Sequence, residues 1–280
     1  MCFASLISRN NQENLLSYIN VAAKEKLQNI LKDRPQSIEN PESISEQISK
    51  VHYSWLIKII DGFLDEDKHL IISCLNLFQK NQLYDYYKLD PGQVILKKIA
   101  KEFLLLSIHK KLVEPSKEYL PIEMLPSNSL NPLLNLSKKE IVRLINFLGL
   151  FDLSSELKRI IKSDLLKRVQ KNLDKQEQQF VKVQMKAKET IAFSGLNLDG
   201  WDGDKTKLKS LLQHRGMNRL AKSFFGCHQA LFWHFLRRID IGRASVLQKY
   251  HTDIKNSDAL DVLKKQTLET LTFLKNREPI

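Results

Sequence analysis

An all-α fold follows from three features of the sequence. Apolar residues recur at three- and four-residue intervals along most of the chain, strand-like alternation is nearly absent, and Ser or Asp stands ahead of several apolar series as a helix N-cap would. Leu15, Leu16, Ile19, Ala23, Leu27, Ile30 and Leu31 mark a first amphipathic helix, closed before Pro35. Ser43 opens a second, with Ile44, Ile48, Val51, Trp55, Ile59 and Ile60 on its inner face. Asp65 opens a third, carrying Leu70, Ile71, Cys74, Leu77 and Phe78. Pro91 suits the first turn of a fourth, with Val94, Ile95, Ile99, Phe103, Leu106 and Leu112.

The pattern then stops. Residues 115–132 hold Pro115, Pro121, Pro126 and Pro132, a density that forbids regular helix and reads as a linker or an extended strap. Tyr119, Leu120, Ile122, Met124 and Leu125 argue that part of it packs down. The expected organisation is an N-terminal helical domain at 1–114, this strap, and a C-terminal helical domain at 133–280.

Ser137 and Glu140 form a capping-box pattern ahead of Ile141, Leu144, Ile145 and Leu148. Short helices are expected at about 153–162 and 164–174 and a longer one at about 175–192, a series that suits an armadillo-like stack. Asp204 caps a helix carrying Leu208, Leu211 and Leu212, expected to end at Gly216. Further helices fall at about 217–225, 227–239 and 244–250. The last, about 257–275, starts at Ser257 and shows Leu260, Leu263, Thr267, Leu271 and Leu274.

Composition narrows the class. A chain of 280 residues buries a sizeable core, and its longest apolar runs, such as FLLLSI at 103–108, are single turns of a buried helix, too short to span a bilayer. The opening MCFASLISRN lacks the basic n-region and apolar length of a secretory signal. Three cysteines, Cys2, Cys74 and Cys227, without metal or redox spacing fit a reducing compartment, so a cytoplasmic protein is expected.

The net charge of +12 is unevenly placed. Residues 1–132 carry 16 basic and 16 acidic side chains, residues 252–280 carry 5 and 5, and residues 133–251 carry 23 against 11. A basic middle on a neutral frame implies an anionic partner surface: an acidic protein, nucleic acid or anionic lipid. The alternative is a lysine-rich solvated helix face, which accounts for the lysines of 158–188.

It does not account for residues 196–243. Two of the three tryptophans, Trp201 and Trp233, lie there, and five of the eleven arginines (Arg215, Arg219, Arg237, Arg238, Arg243) accompany a single Lys222 between 215 and 243. Arg supplies a planar fork for carboxylates, phosphates and aromatic faces that Lys does not. Trp201, Arg215, Arg219, Trp233, Arg237, Arg238 and Arg243 are therefore the candidate partner-binding residues. The competing reading is intramolecular, with Arg237, Arg238 and Arg243 pairing with Asp240 and nearby helix ends.

Other chemistry fares worse. Asp199, Asp202 and Asp204 resemble part of a calcium loop, but lysines follow where further oxygen ligands belong. His214, Cys227, His228 and His234 lack zinc-site spacing. No nucleophile elbow, papain-type cysteine context or glycine-rich phosphate cradle is present. The expectation is a protein that is not an enzyme and uses neither cofactor nor metal.

Several of these residues also carry a family resemblance. The turn Trp201–Asp204, the L-x-H-R-G segment ending at Gly216, the Arg219–Leu220 pair and D-x-G-R at 240–243 resemble a chlamydial protein group of the type III secretion gene cluster. That group is similar to the SctK accessory proteins of the cytoplasmic sorting platform. The stretch 156–180 is similar, more loosely, to the C-terminal armadillo-like helices of the flagellar motor switch protein FliG, although the EHPQ motif of that protein is missing. The resemblance covers under half the chain and implies a cytoplasmic scaffold. Its partners would be protein subunits of a secretion ring or sorting platform, with an acidic face and with peripheral contact at the inner membrane. The rival is a nucleic-acid-associated helical protein using the 133–251 surface.

Overall fold

Capping chemistry sets most of the helix starts. The structure is a computed structural model that describes residues 42–91, 94–116, 119–160, 163–187 and 195–276, so the helix expected at 15–31 lies outside the described residues. Among the described residues there are twelve α-helices, three short 3-10 turns and no strand, which makes the fold all-α.

The expected second helix is two, α1 (Ile44–Ser49) and α2 (Tyr53–Ile60), because His52 takes an extended conformation and stands at the N-cap of α2. The third also divides. α3 (Asp65–Ser73) ends at Cys74, and α4 (Leu77–Tyr87) starts afresh from an Asn76–Gln79 capping box. The Gln79 side chain is buried and donates through Nε2 to the Ile48 and Val51 carbonyls at 2.8 and 2.7 Å, tying α4 to the end of α1. α5 (Lys98–Val113) begins later than Pro91 suggested. Its inner face is Leu105, Ile108 and Leu112, packed with Ile48, Leu56, Ile60, Ile71, Ile72 and Leu83 in a first apolar cluster. Ile99, Phe103 and Leu106, expected in the helical core pattern, lie instead on its exposed side; Ile95, ahead of the helix, and Leu77 and Phe78 are exposed as well.

The proline-rich stretch is a strap. His234 Nε2 donates to the Leu120 carbonyl at 2.7 Å, Tyr119 meets Trp233 edge-on, and Leu130, Leu133 and Leu134 are buried. The described residues from Ile44 onward form one compact unit that runs through this strap. Within 44–280 a second, larger apolar cluster takes in residues 130–274, and Trp55 packs against both clusters.

The second cluster is organised by two long helices. α6 (Lys138–Arg159) opens on the Ser137–Glu140 capping box and runs through the short helix expected near 153. α7 (Ser163–Asn172) and α8 (Lys175–Lys186) follow, the latter from an Asp174–Glu177 capping box. α9 (Lys205–Ser223) starts at Asp204 and does not stop at Gly216. The reason is a close crossing. A Cβ on Gly216 would stand 1.7 Å from the Ile145 carbonyl oxygen, and one on Gly149 would stand 2.0 Å from that of Leu212. Both glycines serve to let the α6 and α9 backbones touch, so Gly216 is a packing residue and not a C-cap. α10 (Gln229–Arg237), α11 (Ile241–Tyr250) and α12 (Ser257–Lys275) complete the chain. α8 and α12 lie against α6, and α11 and α12 lie against α9. These contacts converge on a central pair, whereas an armadillo layer stacks its helices in series. Among the described residues no helix is long and apolar enough to cross a membrane.

Candidate functional site

The arginine block divides on folding into residues turned inward and residues left at an edge. Arg219 lies on α9 and is 2% exposed. Its Nε donates to Asp152 Oδ1 at 2.9 Å, Nη2 bonds the same oxygen, and Nη1 donates to Gln266 Oε1 at 2.7 Å. The Phe151 ring lies 5.4 Å from the guanidinium carbon. A candidate partner-binding residue by sequence, this arginine is instead a core ion pair joining α6, α9 and α12. A buried guanidinium is tolerated only when paired and hydrogen-bonded, and the acid that pairs it sits on a different helix.

The remaining candidates spread over the edge of the unit. Arg215 donates through Nη2 to the Gly195 carbonyl at 2.9 Å, and Arg238 through Nη1 to the Leu136 carbonyl at 3.1 Å. Arg243 pairs with Asp240 at 2.5 Å, and Asp240 also accepts from the Arg243 backbone N–H as N-cap of α11, so this pair locks the turn. Trp201 donates through Nε1 to the Asp204 carbonyl at 2.9 Å and packs against the larger core. Five of the seven therefore make defined intramolecular contacts that hold helix ends or loops.

Arg237 is different. Its guanidinium lies between two indoles, 4.0 Å from the Trp55 ring and 4.5 Å from the Trp233 ring. Among the described residues no carboxylate pairs with it, and its Nε is enclosed without a hydrogen-bond partner. Burial pushes this arginine down to about 10, so it remains a cation at neutral pH in surroundings that resist the charge. Two aromatic faces offset part of that cost by cation–π attraction.

The clamp is built from both halves of the unit. Trp55 Nε1 donates to the Ile239 carbonyl at 2.9 Å, across 184 residues of sequence. The His52 backbone N–H donates to the Arg237 carbonyl at 2.7 Å, and the Ile241 N–H donates to Ser54 Oγ at 3.1 Å. Behind Trp233 the strap residue Tyr119 donates to Gln47 Oε1 at 3.1 Å, fixing the edge that meets the indole. His52 completes the joint. Lys138 Nζ lies 2.7 Å from His52 Nε2, and on the other side of the ring Nδ1 accepts from the Ser54 backbone N–H at 3.2 Å and lies 2.9 Å from Ser54 Oγ. Burial first, and then the Lys138 charge, hold this histidine at about 4, and the ring is neutral at physiological pH.

In front of the clamp is an open cleft of about 650 Å³, lined by Pro115, Gln229, Phe232, Trp233, Arg237 and His251 among others. The His251 ring stacks on Phe232 with centroids 4.3 Å apart. The cleft thus joins aromatic surface, amide groups and one unneutralised cation.

The metal candidates have other tasks. Asp202 pairs with Lys207 at 2.5 Å, and Asp204 caps α9. His214 bonds Tyr250, His228 caps α10, His234 holds the strap, and Cys227, whose thiol burial pushes up, accepts from Asn128 at 3.4 Å. Among the described residues no group of three His, Cys, Asp or Glu is placed to hold a metal ion.

Trp55 was missed by reading the arginine block. Its sequence position signals only the inner face of a helix, and nothing local links it to residues almost two hundred positions away. No protein-family model, curated protein or solved structure matches this chain.

Proposed function

We propose that this protein is a non-enzymatic adaptor that binds an acidic protein segment at the Trp55–Arg237–Trp233 clamp. The observation that carries the reading is the guanidinium of Arg237, unpaired with any carboxylate among the described residues and within 4.5 Å of two indole rings, at the rim of a cleft of about 650 Å³. An arginine fixed in this way has already lost its rotamer freedom, so a partner carboxylate gains a planar fork at little entropic cost. Aromatic residues and Arg are also the types that dominate binding energy at protein interfaces.

The secretion setting rests on the sequence resemblance alone: an adaptor between the membrane ring of a type III apparatus and its cytoplasmic sorting platform. The turn at Trp201–Asp204 and the D-x-G-R turn at 240–243, which support that resemblance, are both turns that cap helices here.

The test is a nuclease-treated pull-down of the tagged protein from its native host, read by mass spectrometry beside an Arg237→Glu variant. The expected result is one set of protein partners that survives nuclease and is lost from the variant, while its helicity and Tm match the parent. Partners that vanish with nuclease, and binding that falls linearly with log salt, would replace this reading with the nucleic-acid one.

A further inference from the structure

A small cavity adjoins the clamp where the end of α1, α5, the strap and the end of α10 meet. Its volume is about 30 Å³, room for about two water molecules. Lys50, Arg237 and Arg238 line it together with His109, Tyr119 and Trp233, and among the described residues no Asp or Glu does. Trp233 and Arg237 are the two residues it shares with the cleft, so the clamp is a common wall of both spaces. The cavity is the less open of the two.

Two atoms of that wall have no partner. Trp233 Nε1 and Arg237 Nε are both shut off from solvent, and neither meets an acceptor. Their side chains adjoin, with the guanidinium carbon 4.5 Å from the indole ring. Indole and guanidinium nitrogens donate and never accept, so what completes them has to be an acceptor. Nearby polar groups are engaged elsewhere. Tyr119 donates to Gln47 Oε1 at 3.1 Å, His109 Nε2 lies 3.0 Å from the same oxygen, and His234 Nε2 donates to the Leu120 carbonyl at 2.7 Å. A buried donor without a protein acceptor marks a place where water or an ion belongs.

We infer that this cavity binds a small inorganic oxyanion, of the size and charge of phosphate, through Arg237 Nε–H and the indole N–H of Trp233. Charge selects an anion over water. A water accepts from both donors but brings no charge, whereas Arg237 has no acid partner among the described residues, and Lys50 and Arg238 carry further positive charge on the same walls. An anion also makes charge-assisted bonds to these donors, which are stronger than neutral ones. Volume selects a small one: two waters occupy about 60 Å³ of liquid, the space of one oxyanion and too little for a nucleotide. The site is separate from the reading of the clamp. The cavity draws on Nε, and the fork of Arg237 is left for a carboxylate in the cleft.

Isothermal titration of inorganic phosphate into the full chain tests this, with ionic strength fixed by gluconate, an anion too large for the cavity. The expected result is saturable one-to-one binding with a Kd of about 1 mM or tighter. Trp233→Phe keeps an aromatic ring and removes the indole N–H, and should weaken phosphate by about tenfold, the worth of one hydrogen bond to a charged group. Lys50→Gln, outside the clamp, should weaken it by about threefold through the lost charge. That variant should capture the acidic partner as the parent does, so the cavity and the clamp fail separately, and it carries the test alone if Trp233→Phe does not fold. Titration without saturable heat overturns the proposal, since water then completes the two donors. So does phosphate binding that either folded variant leaves unchanged, which would put the anion elsewhere on the basic surface.

Discussion

Arg219 and Arg237 come from one short block of sequence and end in opposite circumstances. The first is sealed in the core between Asp152 and Gln266, its charge balanced by an acid on another helix. The second is held by two indole faces and has no acid partner among the described residues. The comparison teaches that an arginine-rich block is not itself a surface. What separates a structural cation from a recognition cation is whether the fold has already supplied its counter-charge. A neutralised guanidinium has little left to offer a partner, whereas the clamped one still carries an electrostatic demand.

Substitutions sharpen that contrast, and the largest effect belongs to the sealed pair. Arg219→Met should destabilise the protein by about 3–5 kcal/mol in urea unfolding, because it strands Asp152 in an apolar site. Adding Asp152→Leu should recover much of that loss. If Arg219→Met leaves stability unchanged and instead abolishes partner binding, the core assignment fails. By the same logic, charge reversal at Arg219 should unfold the protein.

The joint beneath the clamp should reveal itself through pH. His52 is held at about 4 when folded against 6.5 when unfolded, so the unfolded chain binds the extra proton first. Stability from this group is complete above pH 6.5 and is lost as pH falls toward 4, by about 3 kcal/mol. Thermal melts between pH 7 and pH 4 should show this fall, and His52→Gln should flatten it. An unchanged slope in that variant would mean that other groups set the acid limit.

Gly216→Ala tests the frame around Arg219 by pushing a methyl group into the Ile145 carbonyl, and should cost about 2 kcal/mol by forcing α6 and α9 apart. The smallest stability effect is expected at the clamp itself. Arg237→Met should change unfolding free energy by about 1 kcal/mol or less, since the lost cation–π attraction is offset by relief of burying a charge. Partner binding should nevertheless disappear. A large loss of stability with binding retained would turn Arg237 into a second structural arginine.

Local chemistry determined much of this from the sequence: the all-α class, the capping boxes at Ser137, the N-cap at Asp204 and the last helix at Ser257–Lys275. Each depends on residues three or four positions apart, which a linear reading sees directly. Helix ends that depend on distant groups were not legible. Gly216 reads as a stop signal until Gly149 is found against it, and the extended conformation of His52, which divides the second helix, goes with its contacts to Lys138 and the Arg237 carbonyl. Nor did periodicity decide which side of α5 faces the core, because both of its sides are apolar. The site shows the same division. Composition and the shift from Lys to Arg marked the block that contains Arg237 and Trp233, yet Trp55 joins them only when α2 is laid against the end of α10. Whether an arginine is neutralised depends on which acid folding brings within a few ångströms, and that is a property of three-dimensional packing that no spacing along the chain encodes.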